Sequence, residues 1–263
     1  CNSKEESPLK EKVTRRDFLK RSAVGASGSA ALIAAMSPLR LLKDSITAEE
    51  FVAYKFDDGY AQGSNLRQLI AATLADPMIA ADQSLAPALE ILRGWDGSAH
   101  RTNRGAALAI AFGRNALGLL LNGDGAELPD PKAALAKAAS DMTAGFGRLD
   151  PEWGEANRLI RGAVNSPVDG GPDTLRAIYS LSDYSKGAGE AIAGDTYIMN
   201  AEWASDGTRS LRTIHQFGAA TLNPSSPHYA DQAPLFAAEE WKTPAMTLEG
   251  VIAEATRDYR PGR

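Results

Sequence analysis

The stretch Asn223–Gln232 reads NPSSPHYADQ and places two serines, a histidine and an aspartate within ten residues. Those are the residue types of a Ser-His-Asp hydrolase, in which an imidazole takes the hydroxyl proton while a carboxylate orients the ring. A working triad is assembled from separate loops, because the base must meet the nucleophile edge-on with the acid behind it. Ser226, His228 and Asp231 instead share one short segment broken by Pro227, which cannot satisfy both hydrogen bonds at once. No G-x-S-x-G elbow occurs in the chain to expose a strained serine. The expectation is therefore structural. His228 and Asp231 fix the conformation of a signature loop that also holds Tyr229 and Gln232.

Other site chemistries find little support. His100, His215 and His228 are the only histidines, with no i, i+4 pair among them, and Cys1 is the single cysteine. A zinc site is not expected, and no other metal or cofactor is implied. Asp57-Asp58 lacks the alternating oxygen ligands of a calcium loop. Gly25 and Gly28 resemble a phosphate loop only faintly, with no preceding strand and no Gly-Lys-Ser/Thr behind them.

Charge and composition narrow the classes further. The 263 residues are 44% hydrophobic and 23% charged, an ordinary globular balance. Lys and Arg number 28 against 33 Asp and Glu, so nucleic acid is not expected as a partner. No apolar run approaches the roughly 20 residues of a membrane-spanning helix.

The elements that must position the loop can be read in order. Thr47-Ala-Glu-Glu50 is a capping box that starts a short helix ending in the Asp57-Asp58-Gly59 turn. NLRQLIAATLA sets Leu66, Leu69, Ile70 and Leu74 on one helical face, with Ser64 or Asn65 as its cap. LAPALEILRGWDG and RGAALAIAFGRNALGLLL are two further helical stretches, the second apolar nearly all round, as a buried helix would be. Asp130-Pro131 caps another. Beyond Met142 the chain is dense in Gly, Pro, Asp and Trp, which predicts short helical pieces between turns. GDTYIMNAEW and RSLRTIHQFG predict a hairpin about Ser205-Asp206-Gly207, and Thr247 caps a closing helix. The expected class is α+β: a helical region, then a β-hairpin, then a closing helix.

Two resemblances add to this. TRRDFLK, residues 14–20, resembles the twin-arginine export signal, with Arg15, Arg16, Phe18 and Leu19 at its motif positions and a soft Ala/Gly/Ser run behind. It implies that residues 1–43 are a signal-like or tether segment, that the folded body is 44–263, and that the protein works in the periplasm or outside the cell. The body itself resembles the last part of the β chain of the penicillin acylase family. EEFVAYKFDDGYAQGSNLRQL, ILRGWDG, FGRLDPEWGEANRLIRGAVNSPVDGGPDTLRA and HQFGAATLNPSSPHYADQAPLFAAEEW carry the match.

That family resemblance implies an N-terminal-nucleophile hydrolase with a four-layer αββα sandwich, cleaving amides such as β-lactams and acyl-homoserine lactones. Its nucleophile is a serine exposed by self-cleavage, whose own α-amine serves as base. Gly63-Ser64-Asn65 spells the family's nucleophile tripeptide but lies in a loop far downstream of a β-chain start. The serine is therefore expected in an upstream acylase portion, α chain and first part of β chain, acting as partner to this one. Cys1-Asn2-Ser3 is similar to the segment holding the family's oxyanion asparagine, which makes Asn2 the candidate for that role. The alternative is a non-catalytic exported or lipid-tethered protein that keeps the acylase C-terminal fold for binding or structure.

Overall fold

A computed structural model describes Leu41, residues 43–117 and residues 130–255. Asn2 and the twin-arginine-like residues Arg15, Arg16, Phe18 and Leu19 lie outside the described residues. The first half of the body is helical: α1 Ala48–Lys55, α2 Asn65–Ala75, α3 Pro77–Ala80, α4 Ala86–Gly94, α5 Ala106–Leu117 and α6 Pro131–Phe146. Local chemistry sets the ends. The Thr47 hydroxyl accepts from the Glu50 amide at 3.1 Å, and the Glu50 carboxylate accepts from the Thr47 N–H at 3.0 Å. Ser64, Asp76 and Asp130 each cap the helix that follows by accepting from its first-turn amides.

Helix α5 is the axis of this layer. Every residue from Ala106 to Gly113 is buried, and its alanines allow close approach by α6, which presents Ala134, Leu135, Ala138 and Met142. Trp95 and Tyr60 meet edge-to-face at 5.5 Å on one side of the core, and Trp153 and Tyr184 meet at 6.2 Å on the other. No helix among the described residues is long and apolar enough to cross a membrane.

The second half is richer in strand than the sequence suggests. After a single turn, α7 Trp153–Ala156, come β1 Asn157–Arg161, β2 Val164–Pro167, β3 Ile178–Ser180 and β4 Gly189–Gly194. They form a mixed sheet in the order β2-β1-β4-β3, with β1 and β4 parallel and the other pairs antiparallel. The expected run of short helical pieces here is thus corrected to a four-stranded sheet. Its first hairpin turns at Gly162-Ala163, where Gly162 takes φ +59, a left-handed conformation that a side chain would strain. The expected hairpin forms as β5 Tyr197–Trp203 and β6 Arg209–His215, in full register from Tyr197↔His215 to Trp203↔Arg209. Helix α8, Ala233–Ala238, closes a second core with Leu159, Ile178, Ile198 and Ile214, and α9, Leu248–Glu254, follows. The class is α+β.

One buried amide ties the sheet together. Asn157 is fully buried, and its Nδ2 donates to the carbonyls of Val168 at 3.4 Å and Ile178 at 3.0 Å. Its Oδ1 accepts from the Ser180 N–H at 2.9 Å. Asn157→Ala removes these bonds and strands buried backbone groups, so it should lower unfolding free energy by about 3 kcal/mol. Urea denaturation of the full chain measures it; a loss below about 1 kcal/mol would show that these groups find other partners.

Candidate functional site

Three turns converge in space, and one of them, at Trp95-Asp96-Gly97, replaces the end of an expected helix, which stops at Gly94. The Tyr60 N–H donates to the Gly97 carbonyl at 2.8 Å and the Ala99 N–H to Asp58 at 3.0 Å, joining the Asp57–Tyr60 and Trp95–Arg101 turns. The Gly170 N–H reaches Ala99 at 2.9 Å and the Arg176 N–H reaches Asp57 at 2.8 Å, which adds the Val168–Arg176 loop. Ser98 donates from its hydroxyl to Asp58 at 3.0 Å. Burial raises the Asp58 carboxyl above the ordinary carboxylate value, and the Ser98 bond works against that rise.

Two arginines then fasten this junction to α8. Arg101 donates from Nε to Asp169 at 2.8 Å, with its second nitrogen on the same carboxylate oxygen and its own backbone N–H on the other. The same guanidinium donates to the Ala237 carbonyl at 2.8 Å. Arg176 has no exposed surface and donates to the Phe236 carbonyl at 2.6 Å, with its guanidinium over the Phe236 ring at 4.2 Å. Its Nε faces Glu239 at 3.6 Å. Burial lowers the Arg176 pKa and raises that of Glu239, each penalised in its charged form, while their mutual attraction opposes both shifts. The Phe236 and Ala237 carbonyls at the end of α8 thus accept from two cations, the arrangement the helix dipole favours, and the Phe236 carbonyl also accepts from the Glu239 N–H at 3.3 Å.

The loop between β6 and α8 holds the opening motif. Its anchor is Arg161 at the end of β1, whose guanidinium lies over the Tyr229 ring at 3.7 Å and the Phe217 ring at 4.5 Å. The same side chain donates to the Thr221 carbonyl at 2.5 Å and the Tyr229 carbonyl at 3.3 Å. Gln232 accepts at its side-chain oxygen from the His215 N–H at 3.1 Å, and its own N–H donates to the Phe217 carbonyl at 3.0 Å. Gly218 is a forced choice. An added Cβ would sit 2.6 Å from the Asp231 carboxylate and closer still to the His228 carbonyl.

Within the loop, His228 Nδ1 lies 3.0 Å from Asp231 Oδ2, with the two side chains 59% and 28% exposed. Ser226 accepts at its hydroxyl oxygen from the His228 backbone N–H at 3.1 Å. Its described bond is therefore to the main chain and not to the imidazole, so nucleophile, base and acid are not lined up as a triad requires. The structure brings His228, Asp231, Tyr229 and Gln232 into one knot around Arg161 and His215. Ser64 stands at the N-cap of α2, buried, with its oxygen accepting from the Arg67 amide at 3.4 Å. Among the described residues no group of three or more His, Cys, Asp or Glu could hold a metal ion.

The arginines Arg101, Arg161 and Arg176, together with Asp169, went unmarked in the sequence. Arg176 carried one usable signal, a lone cation inside the apolar run around Ala177 and Ile178. The others pair with groups too distant in sequence to leave a pattern.

The family profile described as penicillin amidase matches residues 32–253. The chain belongs to the penicillin amidase family. The acyl-homoserine lactone acylase PvdQ of Pseudomonas fluorescens is 27% identical to it over 125 residues. That alignment covers 47% of this chain and 16% of the length of PvdQ, so the two are similar over a small part of the longer protein.

His215 gives the loop a pH dependence. Its Nδ1 accepts from the Phe217 N–H at 3.1 Å, which holds the ring neutral with the proton on Nε2. Burial first, then the Arg161 charge, lower its pKa from the ordinary 6.5. The unfolded chain therefore binds a proton at higher pH than the folded one. Stability from this group is complete above the unfolded value and is lost as pH falls toward the folded one. Unfolding free energy measured from about pH 7 down to about pH 5.5 should fall more steeply in the wild type than in His215→Gln. Parallel curves would contradict the assignment.

Proposed function

We propose that this chain forms the C-terminal portion of an N-terminal-nucleophile amidohydrolase that cleaves acylated amides of the β-lactam or acyl-homoserine lactone type. The observation that carries the reading is the penicillin amidase match across residues 32–253. The acylase activity in the printed name of PvdQ agrees with it. In this reading the two sheets and their helices are one flank of an αββα sandwich, and the serine nucleophile belongs to an upstream acylase portion. The 16% coverage of PvdQ supports that division, since most of that relative's length has no counterpart in the alignment. So does the exposed face of β5, where Tyr197, Met199 and Trp203 are each more than half exposed and could meet such a partner. The twin-arginine-like segment would direct the assembly to the periplasm or beyond.

The chemistry assigned to this chain is positional. Asp231, His228, Gln232 and Arg161 fix the β6–α8 loop, and the Arg101–Asp169 and Arg176 contacts hold α8 to the helical layer, so both support the sheet that the upstream portion completes. Co-expression with an acylase α chain and β-chain start should give a matured complex that hydrolyses an acyl-homoserine lactone or an acylated β-lactam amide. In that complex His228→Ala should keep kcat within about threefold while lowering the yield of mature protein and its thermal stability. An inert but correctly matured complex would refute the hydrolase reading. Complete loss of turnover in His228→Ala with unchanged stability would refute the positional role.

A further inference from the structure

Between β6, the signature loop and α9 lies a cavity of about 570 Å3, whose lining includes Tyr197, His215, Gln232, Lys242, Val251 and Glu254. Its volume is within the usual range of small-molecule sites. Tyr197 also belongs to the exposed face of β5; the other five residues do not.

Three donors on this lining have no acceptor among the described residues. Gln232 is 9% exposed, and its side-chain oxygen is committed to the His215 N–H at 3.1 Å, which leaves the amide nitrogen as the free end. His215 gives its Nδ1 to the Phe217 N–H at 3.1 Å, so the proton sits on Nε2 with nothing to receive it. Lys242 is held beside β6 by two backbone bonds to Thr213, both 2.8 Å, and its ammonium makes no ion pair among the described residues. The bonds that orient Gln232 and His215 also brace the signature loop, so these donors are set in place before anything binds. Glu254, on α9, is the one carboxylate in the lining, and it repels an anion toward the three donors.

We propose that this cavity binds a small aliphatic monocarboxylate, its oxygens accepting from the Gln232 amide, the His215 Nε2–H and the Lys242 ammonium, with its chain against Ala219, Pro244 and Val251. Charge-assisted bonds from fixed donors supply the selectivity, and burial of the chain adds affinity. The site needs no nucleophile and no upstream portion, so it stands or falls independently of the hydrolase reading.

The probes are hexanoate and hexanamide, which share a chain length and differ in charge. They are titrated into the full chain while the His215 ring and the Gln232 side-chain amide are followed by NMR. Hexanoate should shift both signals saturably, with hexanamide about tenfold weaker. Bound hexanoate should also raise the His215 midpoint, since an anion at Nε2 favours the protonated ring, as Asp231 does, against burial and the Arg161 charge. Lys242→Met, at an exposed position, should weaken hexanoate about fivefold. Gln232→Glu keeps an oxygen for the His215 N–H but replaces the donor with a second carboxylate, so it should abolish binding. Should that variant fail to fold, Lys242→Met decides. The proposal is overturned by no saturable shift, by equal affinity for the two probes, by Lys242→Met binding as tightly as wild type, or by shifts that leave His215 and Gln232 unmoved.

Discussion

Buried positive charge is the constraint around which the second half of this molecule is arranged. Arg176 is wholly enclosed, and Arg101 grips the buried Asp169 with three donors. Removing Arg176 from water, and Arg101 in part, is costly, and the cost is offset only where nearby oxygens are held in place to receive them. The last carbonyls of α8 supply part of that set, through Phe236 and Ala237. The helix in turn finds a donor for the Ala237 carbonyl and a second one for that of Phe236, beside the Glu239 N–H. Arg101 extends from the turn after α4, so the bonds these two arginines make also bind the helical layer to the sheet core.

From that lock the signature loop takes its place. It enters from β6 and must reach α8, whose position is already set, and Arg161 clamps its middle between Phe217 and Tyr229. His228 and Asp231 are then neighbours by local geometry, at the exposed rim of a segment braced from beneath. A histidine paired with an aspartate near a serine has the composition of a catalytic relay. Here the serine oxygen accepts from the main chain, and the loop instead has the bonding pattern of a brace.

The sequence made the helical layer legible because its signals are local. Thr47, Ser64 and Asp130 stand next to the amides they cap, and α5 declares its burial by being apolar on every side. The β5–β6 hairpin was legible for the same reason, with two strand-like runs flanking an Asp-Gly turn. The four-stranded sheet was hidden. β1 carries two arginines among five residues, β4 is built largely of glycine and alanine, and the first hairpin turns at Gly-Ala without an asparagine or aspartate. The charge lock was less visible still. Its pairs span 68 residues between Arg101 and Asp169 and 136 between Arg101 and Ala237, and no periodicity links positions so far apart. The family pattern carried what local rules could not, since the DDGY, WDG and VDGGPDTLR segments that mark the resemblance are the turns that meet in space.

The central claim is that Asp169 and its arginines hold α8, and through it the signature loop, to the rest of the fold. Amide hydrogen exchange on Asp169→Ala, read residue by residue, tests this most directly. The account predicts that protection of Phe236, Ala237 and Glu240 falls on the order of a hundredfold while the interior of α5 keeps its protection, because one partner of a buried ion pair is gone. Unchanged exchange across α8, or an equal loss in α5 and α8 alike, would contradict it.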